Sequence, residues 1–319
     1  MKQEKINQLI GIVYVNLATF FWATNMMLGR LIKDSVGPIT ISATRFCVAA
    51  LLFAVILRQL PPQERRLGGD RRWLAAMALT GVVLFSPLLY WGLHYTTVVN
   101  STMINGTGPL VTGLFAAWFL KEPMTSRQTA GAVAALAGVL VLISGGSLAF
   151  WSSAQFNVGD LLILLAVAIW GLYSLAGGRV MRHRSSLSAT ALSTFIGLPV
   201  LCLLAVWEVY TTPAHFDARL VSIIVYMGVV PAAGGFYAWN AGVARLGPSG
   251  AMVFYNTMPL YGALLGYLFL GESIGLPHIV GGLLIVSGGL WAARKSPAVL
   301  PAAARPAPVD SPAALDSKE

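Results

Sequence analysis

Apolar residues run through this chain in long blocks, separated by short polar, glycine- or proline-bearing gaps. A helix needs about 20 residues to cross the hydrocarbon core of a bilayer. Ten blocks approach or exceed that length, at 9–32, 39–57, 73–93, 98–120, 129–147, 161–178, 187–206, 220–243, 251–270 and 279–293. Most gaps are short, which predicts successive helices as antiparallel neighbours. The segment 296–319 differs: five prolines among alanines, with no apolar periodicity, predict a disordered tail.

Composition agrees with a lipid solvent. The chain is 56% hydrophobic and 10% charged, against roughly 25% charged residues in a soluble domain. Two cysteines, Cys47 and Cys202, fall inside apolar blocks. With no partner evident for a disulfide or a metal site, they read as small packing hydrophobes. The N-terminus lacks a short apolar region followed by a small-residue cleavage site. The net charge of +9 would suggest nucleic acid in a soluble protein, but topology explains it here. With the N-terminus placed in the cytoplasm, seventeen of the 21 Lys and Arg fall on the cytoplasmic side. Arg30, Lys33 and Arg219 fall outside, and Arg45 lies within a span. This is the positive-inside asymmetry, and it supports an even span count with both termini cytoplasmic.

The two halves resemble each other. At an offset of 148, Gly11, Leu17, Ala18, Trp22 and Gly29 fall on Gly159, Leu165, Ala166, Trp170 and Gly177. At 147, Gly81, Val82, Val83 and Tyr90 fall on Gly228, Val229, Val230 and Tyr237. At 150, Pro109, Leu110, Phe119, Leu120, Glu122, Gly131 and Gly138 fall on Pro259, Leu260, Phe269, Leu270, Glu272, Gly281 and Gly288. Five spans per half would insert the halves in opposite directions. The expected fold is an all-α membrane protein: ten transmembrane helices as two inverted-topology five-helix repeats, 9–147 and 158–293, followed by the cytoplasmic tail. Inverted-topology repeats recur in secondary transporters, with the substrate site between the halves.

Five plus five helices, a Trp in the first of each half, and a Pro then a Glu in the fourth resemble the drug/metabolite transporter superfamily. Gly108-Pro109-Leu110 through Leu120-Lys121-Glu122, and Met258-Pro259-Leu260 through Leu270-Gly271-Glu272, are similar to the two EamA-type repeats. The resemblance extends over residues 11–293 and is strongest to bacterial exporters of amino acids, aromatic ones included. It implies a bacterial inner-membrane protein with a central cavity open alternately to each side.

Candidate residues follow, each with a plainer alternative. Trp22 and Trp170 lie near mid-depth, where they would wall a cavity or wedge helices apart. Tyr90 and Tyr237 would line the cavity or sit in an interfacial belt. Asn105 and Thr107 precede Pro109, and Asn256 and Thr257 precede Pro259. These polar groups would bind a zwitterion or satisfy carbonyls freed by proline. Asn25 and Asn240 read as interhelical hydrogen-bonders. Arg45, the intramembrane charge, would pair with Asp160 or Glu272, snorkel, or attract a substrate carboxylate. His94 would carry a coupling proton or simply be hydrated. Glu122 and Glu272 read as stabilisers of the turn into the next helix.

No carboxylate occupies the middle of the first span, and no central Lys or Arg pair occurs. That argues against multivalent cations and sugar phosphates. The expected function is export of amino acids or similar neutral or zwitterionic metabolites, with other small metabolites or drugs as the alternative. A membrane-embedded enzyme would need a nucleophile–base or metal constellation, and the four His include no ligand pair. A channel or receptor scaffold is disfavoured by the repeat. The partners implied are a small-molecule substrate and the lipid bilayer, with no nucleic acid, protein partner, metal or cofactor. A reporter that is active only in the periplasm, fused after Glu319, is expected to stay silent. Activity there would mean an odd number of spans.

Overall fold

In lipid, each backbone N–H and C=O must be satisfied inside the protein, so an apolar chain of this kind folds as helices. The computed structural model describes residues 2–121, 124–147, 156–212, 214 and 216–293, and among them there is helix but no strand. The tail 296–319 and Glu122 lie outside the described residues.

In the first half, α1 is Lys2–Leu31, α2 Pro38–Gln59, α3 Pro62–Arg65, α4 Arg71–Met77 and α5 Phe85–Tyr95. It continues with α6 Val98–Asn105, α7 Gly108–Leu120 and α8 Ser126–Ile143. In the second, α9 is Val158–Val180, α10 Ser186–Thr211, α11 Ala218–Met227, α12 Gly235–Tyr255, α13 Met258–Leu270 and α14 Leu276–Ala293. Wide π turns, Ala78–Leu84 and Gly228–Gly234, join α4 to α5 and α11 to α12.

Seven segments are long and apolar enough to cross a membrane: Glu4–Leu31, Pro38–Gln59, Arg71–Tyr95, Ser126–Ile143, Val158–Val180, Ser186–Thr211 and Ala218–Val243. Met258–Leu270 and Leu276–Ala292 are shorter apolar helices in two of the remaining expected blocks. The block 98–120 is divided at Gly106 and Thr107 into α6 and α7. Pro109 and Pro259 do not kink a helix interior, because each stands in the first turn of a new helix, α7 or α13, where the missing N–H costs nothing. The gap expected between 243 and 251 is helical, since α12 runs through it to Tyr255.

The π turns begin 150 residues apart, at Ala78 and Gly228, so the offset of 147 matched there is three residues out of structural register. A proline lies in or just after each turn. Pro231 lies within the second, and Pro87 lacks the N–H that would meet Val83 O in the first.

Glycines set the closest helix approaches, as expected where lipid supplies no hydrophobic drive and packing must be tight. Gly138 of α8 faces Gly281 of α14: a Cβ on either would lie 2.6 or 2.8 Å from the other's carbonyl oxygen. Gly131 faces Gly288 in the same way. Gly92 of α5 meets Gly159 of α9, and Gly242 of α12 approaches Gly11 of α1. Lys121 ends α7 in the left-handed region at φ 56°, the conformation Gly271 adopts after α13 at φ 65°. The lysine is strained there and the glycine is not. Outward faces stay apolar, with Leu51, Trp118 and Leu203 each 72% exposed, a surface suited to lipid.

Both ends are stapled by arginine. Arg30 Nη1 donates to Leu93 O at 2.7 Å and to His94 O, at the carbonyl end of α5. At the opposite end Arg184 donates to Asp70 Oδ1 at 3.1 Å and to Asp70 Oδ2, and also to the carbonyls of Gln63 and Glu64. The two side chains are only 5% and 11% exposed. The Arg184 hydrogen bonds hold the Asp70 carboxyl below its ordinary range. A carboxylate whose pKa is lowered by folding stabilises above its unfolded value, near 3.9, and loses that contribution as pH falls through the folded value. Thermal unfolding in detergent should show wild type above Asp70→Asn by a constant margin near neutrality that narrows below about pH 4. A margin independent of pH would show the bridge to be unimportant.

Candidate functional site

Where α1, α2, α5, α9, α10 and α12 converge they leave a central cavity of about 870 Å³, its mouth included. Trp22, Trp170, Tyr173, Thr190, Phe236 and Tyr255 form its wall on one side and are shared with a second cavity of about 1010 Å³. The second continues to Met181 and Ser186, beside the end where Arg184 meets Asp70. A third cavity, of about 600 Å³, lies at the opposite end around Lys33, Trp91 and His94 and shares no lining residue with the central one. The second cavity thus lies between the central one and the arginine-rich end, with the shared aromatic wall separating the two.

The shared wall is aromatic. Trp22 packs against Trp239, Phe236 and Tyr255 at 5.5, 6.1 and 6.2 Å between centroids. Trp170 stacks on Tyr173 at 4.7 Å and 26°, and tilts against Phe85 at 4.8 Å. These contacts need close backbone. A Cβ at Gly235 would lie 2.9 Å from Trp22 Nε1, and one at Gly81 would collide with the Tyr173 ring.

The polar groups in the wall are mostly neutral. Asn25 accepts a hydrogen bond from Tyr90 Oη at 2.9 Å. Asn105 Nδ2 donates to Ser101 O at 3.1 Å, so its carbonyl side remains for a ligand. Thr190, Ser193 and Thr194 of α10 add hydroxyls, those of Ser193 and Thr194 turned to Thr190 O. Neither cavity is lined by an Asp or a Glu, and Arg45 supplies the charge in the central one.

Arg45 is 8% exposed. Its Nη2 donates to Ser86 Oγ at 2.9 Å, and Ser86 in turn donates to Ser42 Oγ at 3.0 Å. The guanidinium lies 4.5 Å from the Phe46 centroid and 5.6 Å from that of Tyr90. Neither carboxylate expected to pair with it does so. Asp160 accepts from Thr96 and Asn100. Glu272 accepts from the amides of Val98 and Val99 at 2.8 and 3.0 Å, capping α6 rather than bracing its own turn.

Among the other residues singled out, Tyr90 is 1% exposed and supports Asn25 from behind. Thr107 turns its hydroxyl back to Ile104 O at 2.7 Å. Asn256 is buried beside Gly289, with its Oδ1 lacking a partner. Tyr237 stands apart, 62% exposed on the outside against Tyr14, while its neighbour Phe236 takes the cavity position. His94 lines the far cavity with its ring on Tyr95. Asn25 and Asn240 both make interhelical bonds, Asn240 accepting from Ser186 Oγ. Cys47 and Cys202, 155 residues apart, do face each other as free thiols across α2 and α10, Sγ to Sγ 3.8 Å.

Long apolar helices surround a cavity walled by aromatic and neutral polar groups, an arrangement consistent with a multi-pass membrane transporter. The chain belongs to the EamA-like transporter family, which it matches over residues 9–144 and again over 157–293. An uncharacterized transporter of Bacillus subtilis, YyaM, is 27% identical over 88% of this chain and 93% of its own. A probable terminal-alkyne amino-acid exporter of Streptantibioticus cattleyicolor is 26% identical over 92% of this chain and 95% of its own. A solved crystal structure shares the fold, with a TM-score of 0.58 at 22% identity over 92% of this chain and 96% of that one.

If the aromatic wall holds substrate, Trp170→Ala should weaken substrate binding by about tenfold. Leu203→Ala, on the outer face, should leave it unchanged at equal membrane abundance. Equal transport by both variants would reduce Trp170 to packing.

Proposed function

We propose that this protein exports amino acids or similar neutral or zwitterionic metabolites by alternating access, favouring those with a large apolar or aromatic part. The observation that carries this is the wall of the central cavity: paired aromatic clusters, neutral donors and acceptors, one cation and no carboxylate. A cation exchanger would require an acidic group there. The relative named as a probable amino-acid exporter supports the same substrate class.

The transport cycle rests on two repeats, 9–147 and 158–293, inserted in opposite directions in the bacterial inner membrane with both termini cytoplasmic. Two features support this. The family matches each half separately. The glycine seam between α8 and α14 is crossed, Gly131 meeting Gly288 and Gly138 meeting Gly281, as a two-fold relation between equivalent helices would produce. The arginine-rich end is then cytoplasmic, and the second cavity lies on the cytoplasmic side of the aromatic wall. The π turns at equivalent points of the two halves have the loosened hydrogen bonding of a hinge.

Trp22, Trp170 and Asn105 contact substrate directly in this scheme, with Asn256 at the base of α13 and Tyr90 supporting. Neutral partners recover only part of the hydration a zwitterion loses, so affinity is on the order of millimolar. Selectivity comes from apolar contact, roughly 1–3 kcal/mol per group. In liposomes, efflux of labelled Phe should be inhibited by Met and Leu and little affected by Lys or Glu. Strong inhibition by Lys or Glu, with none by Phe or Met, would overturn the scheme.

A further inference from the structure

A guanidinium inside a membrane protein is costly unless it is paired, and such groups face cavities or substrate paths. Arg45 carries this cost unusually openly. It is more than nine-tenths buried, lines the central cavity, and has no carboxylate within ion-pair distance among the described residues. Of its five N–H donors, one hydrogen bond is made, from Nη2 to Ser86, and Nε is buried without a partner.

The surroundings hold the side chain in place without neutralising it. Ser86 is fixed by its bond to Ser42, which itself donates to Pro38 O at 2.8 Å. Phe46 and Tyr90 present rings to the cation. Tyr90 is in turn tied to Asn25, another cavity residue. The result is a positioned cation whose open donors can take an anion in two-point fashion, the geometry that suits arginine and carboxylate. The same cavity holds aromatic rings to receive an apolar group and no acid to receive an amine.

We infer that Arg45 is the carboxylate-binding residue of the central cavity, and that the ligand it selects is an aromatic or apolar monocarboxylate whose amine is dispensable. This rests on the proposed transport of such metabolites and narrows it. An acid lacking the amino group fits the site as well as the amino acid does, whereas an amine or an amide lacking the carboxylate does not.

The experiment uses the full chain in nanodiscs, with binding read by quenching of tryptophan fluorescence and confirmed by competition with labelled Phe. The ligands are phenylalanine, 3-phenylpropionate, phenylalaninamide and phenethylamine. Phenylalanine and 3-phenylpropionate should bind within about threefold of each other, and the other two at least about tenfold more weakly, the scale of a lost charge-assisted pair. Arg45→Gln should erase the preference for the acids, and Arg45→Lys should keep part of it. The wild-type series stands alone if Arg45→Gln does not fold. Equal binding of all four would overturn the assignment of Arg45 while leaving an aromatic-metabolite cavity intact. Binding of the two amine-bearing non-acids alone would overturn the assignment and point to an unrecognised acidic site. Binding of none would overturn both the assignment and the substrate class on which it rests.

Discussion

The structure depends on one constraint: a polar backbone placed in an apolar solvent must find its hydrogen bonds within the protein. Helix interiors meet it automatically, but each helix end leaves several amides or carbonyls open. Here the ends are closed by side chains from distant parts of the chain. Glu208 of α10 accepts from the amides of Ile39 and Thr40 at 3.2 and 2.7 Å, closing the start of α2. Glu272 does the same for α6, and Arg30 closes the end of α5. Glu208 is buried, and Glu272 and Arg30 are half-buried, at the helix ends they cap. Removing one would free backbone amides, or for Arg30 carbonyls, in a low-dielectric setting as well as break a contact.

The same constraint explains why charge elsewhere can be assigned meaning. Asp160, Glu208 and Glu272 are each saturated by donors, and Arg184 and Asp70 satisfy each other. Of the buried side-chain atoms left without a partner among the described residues, Arg45 Nε belongs to a residue that lines the central cavity. An incomplete charged group at a cavity wall is where a ligand is expected to supply the missing half.

Much of the scaffold was legible because its signals are periodic and local. Apolar block length gave the helices, and the matched glycines at an offset of 150 turned out to be the tight seam between α8 and α14. The breaks were read less well. Proline in an apolar block looked like a kink, yet Pro109 and Pro259 begin helices, a distinction set by the hydrogen bonding of Gly106 and Thr107 rather than by composition. The site was partly visible in Trp22, Trp170, Asn105 and Arg45. Tyr173, Phe85 and the hydroxyls of α10 were not found, although Thr190, Ser193 and Thr194 form a polar stripe at helical spacing in an apolar block. The partners of Arg45 and Glu272 could not be read from sequence, since reach across the bundle depends on which helices pack together.

A transporter built from two similar halves also has a symmetry problem to solve at its centre. The scaffold features recur: the π turns, the glycine seams, and the caps that end α7 and α13. A ligand with one charged end and one apolar end has no such symmetry, so its site must break the relation between the halves. Arg45 does this. At every offset from 147 to 150 its counterpart in the second half is Leu192, Ser193, Thr194 or Phe195, none of them charged. The aromatic side is shared more evenly, with Trp22 and Trp170 each anchoring a cluster. Under alternating access the charged anchor would stay with one half while both halves contribute apolar wall. The substrate's carboxylate would then keep its partner as the cavity reverses, and the apolar part would exchange contacts of similar strength on either side. Such an arrangement lets the bound ligand bias neither state strongly, which a carrier that must open to both sides requires.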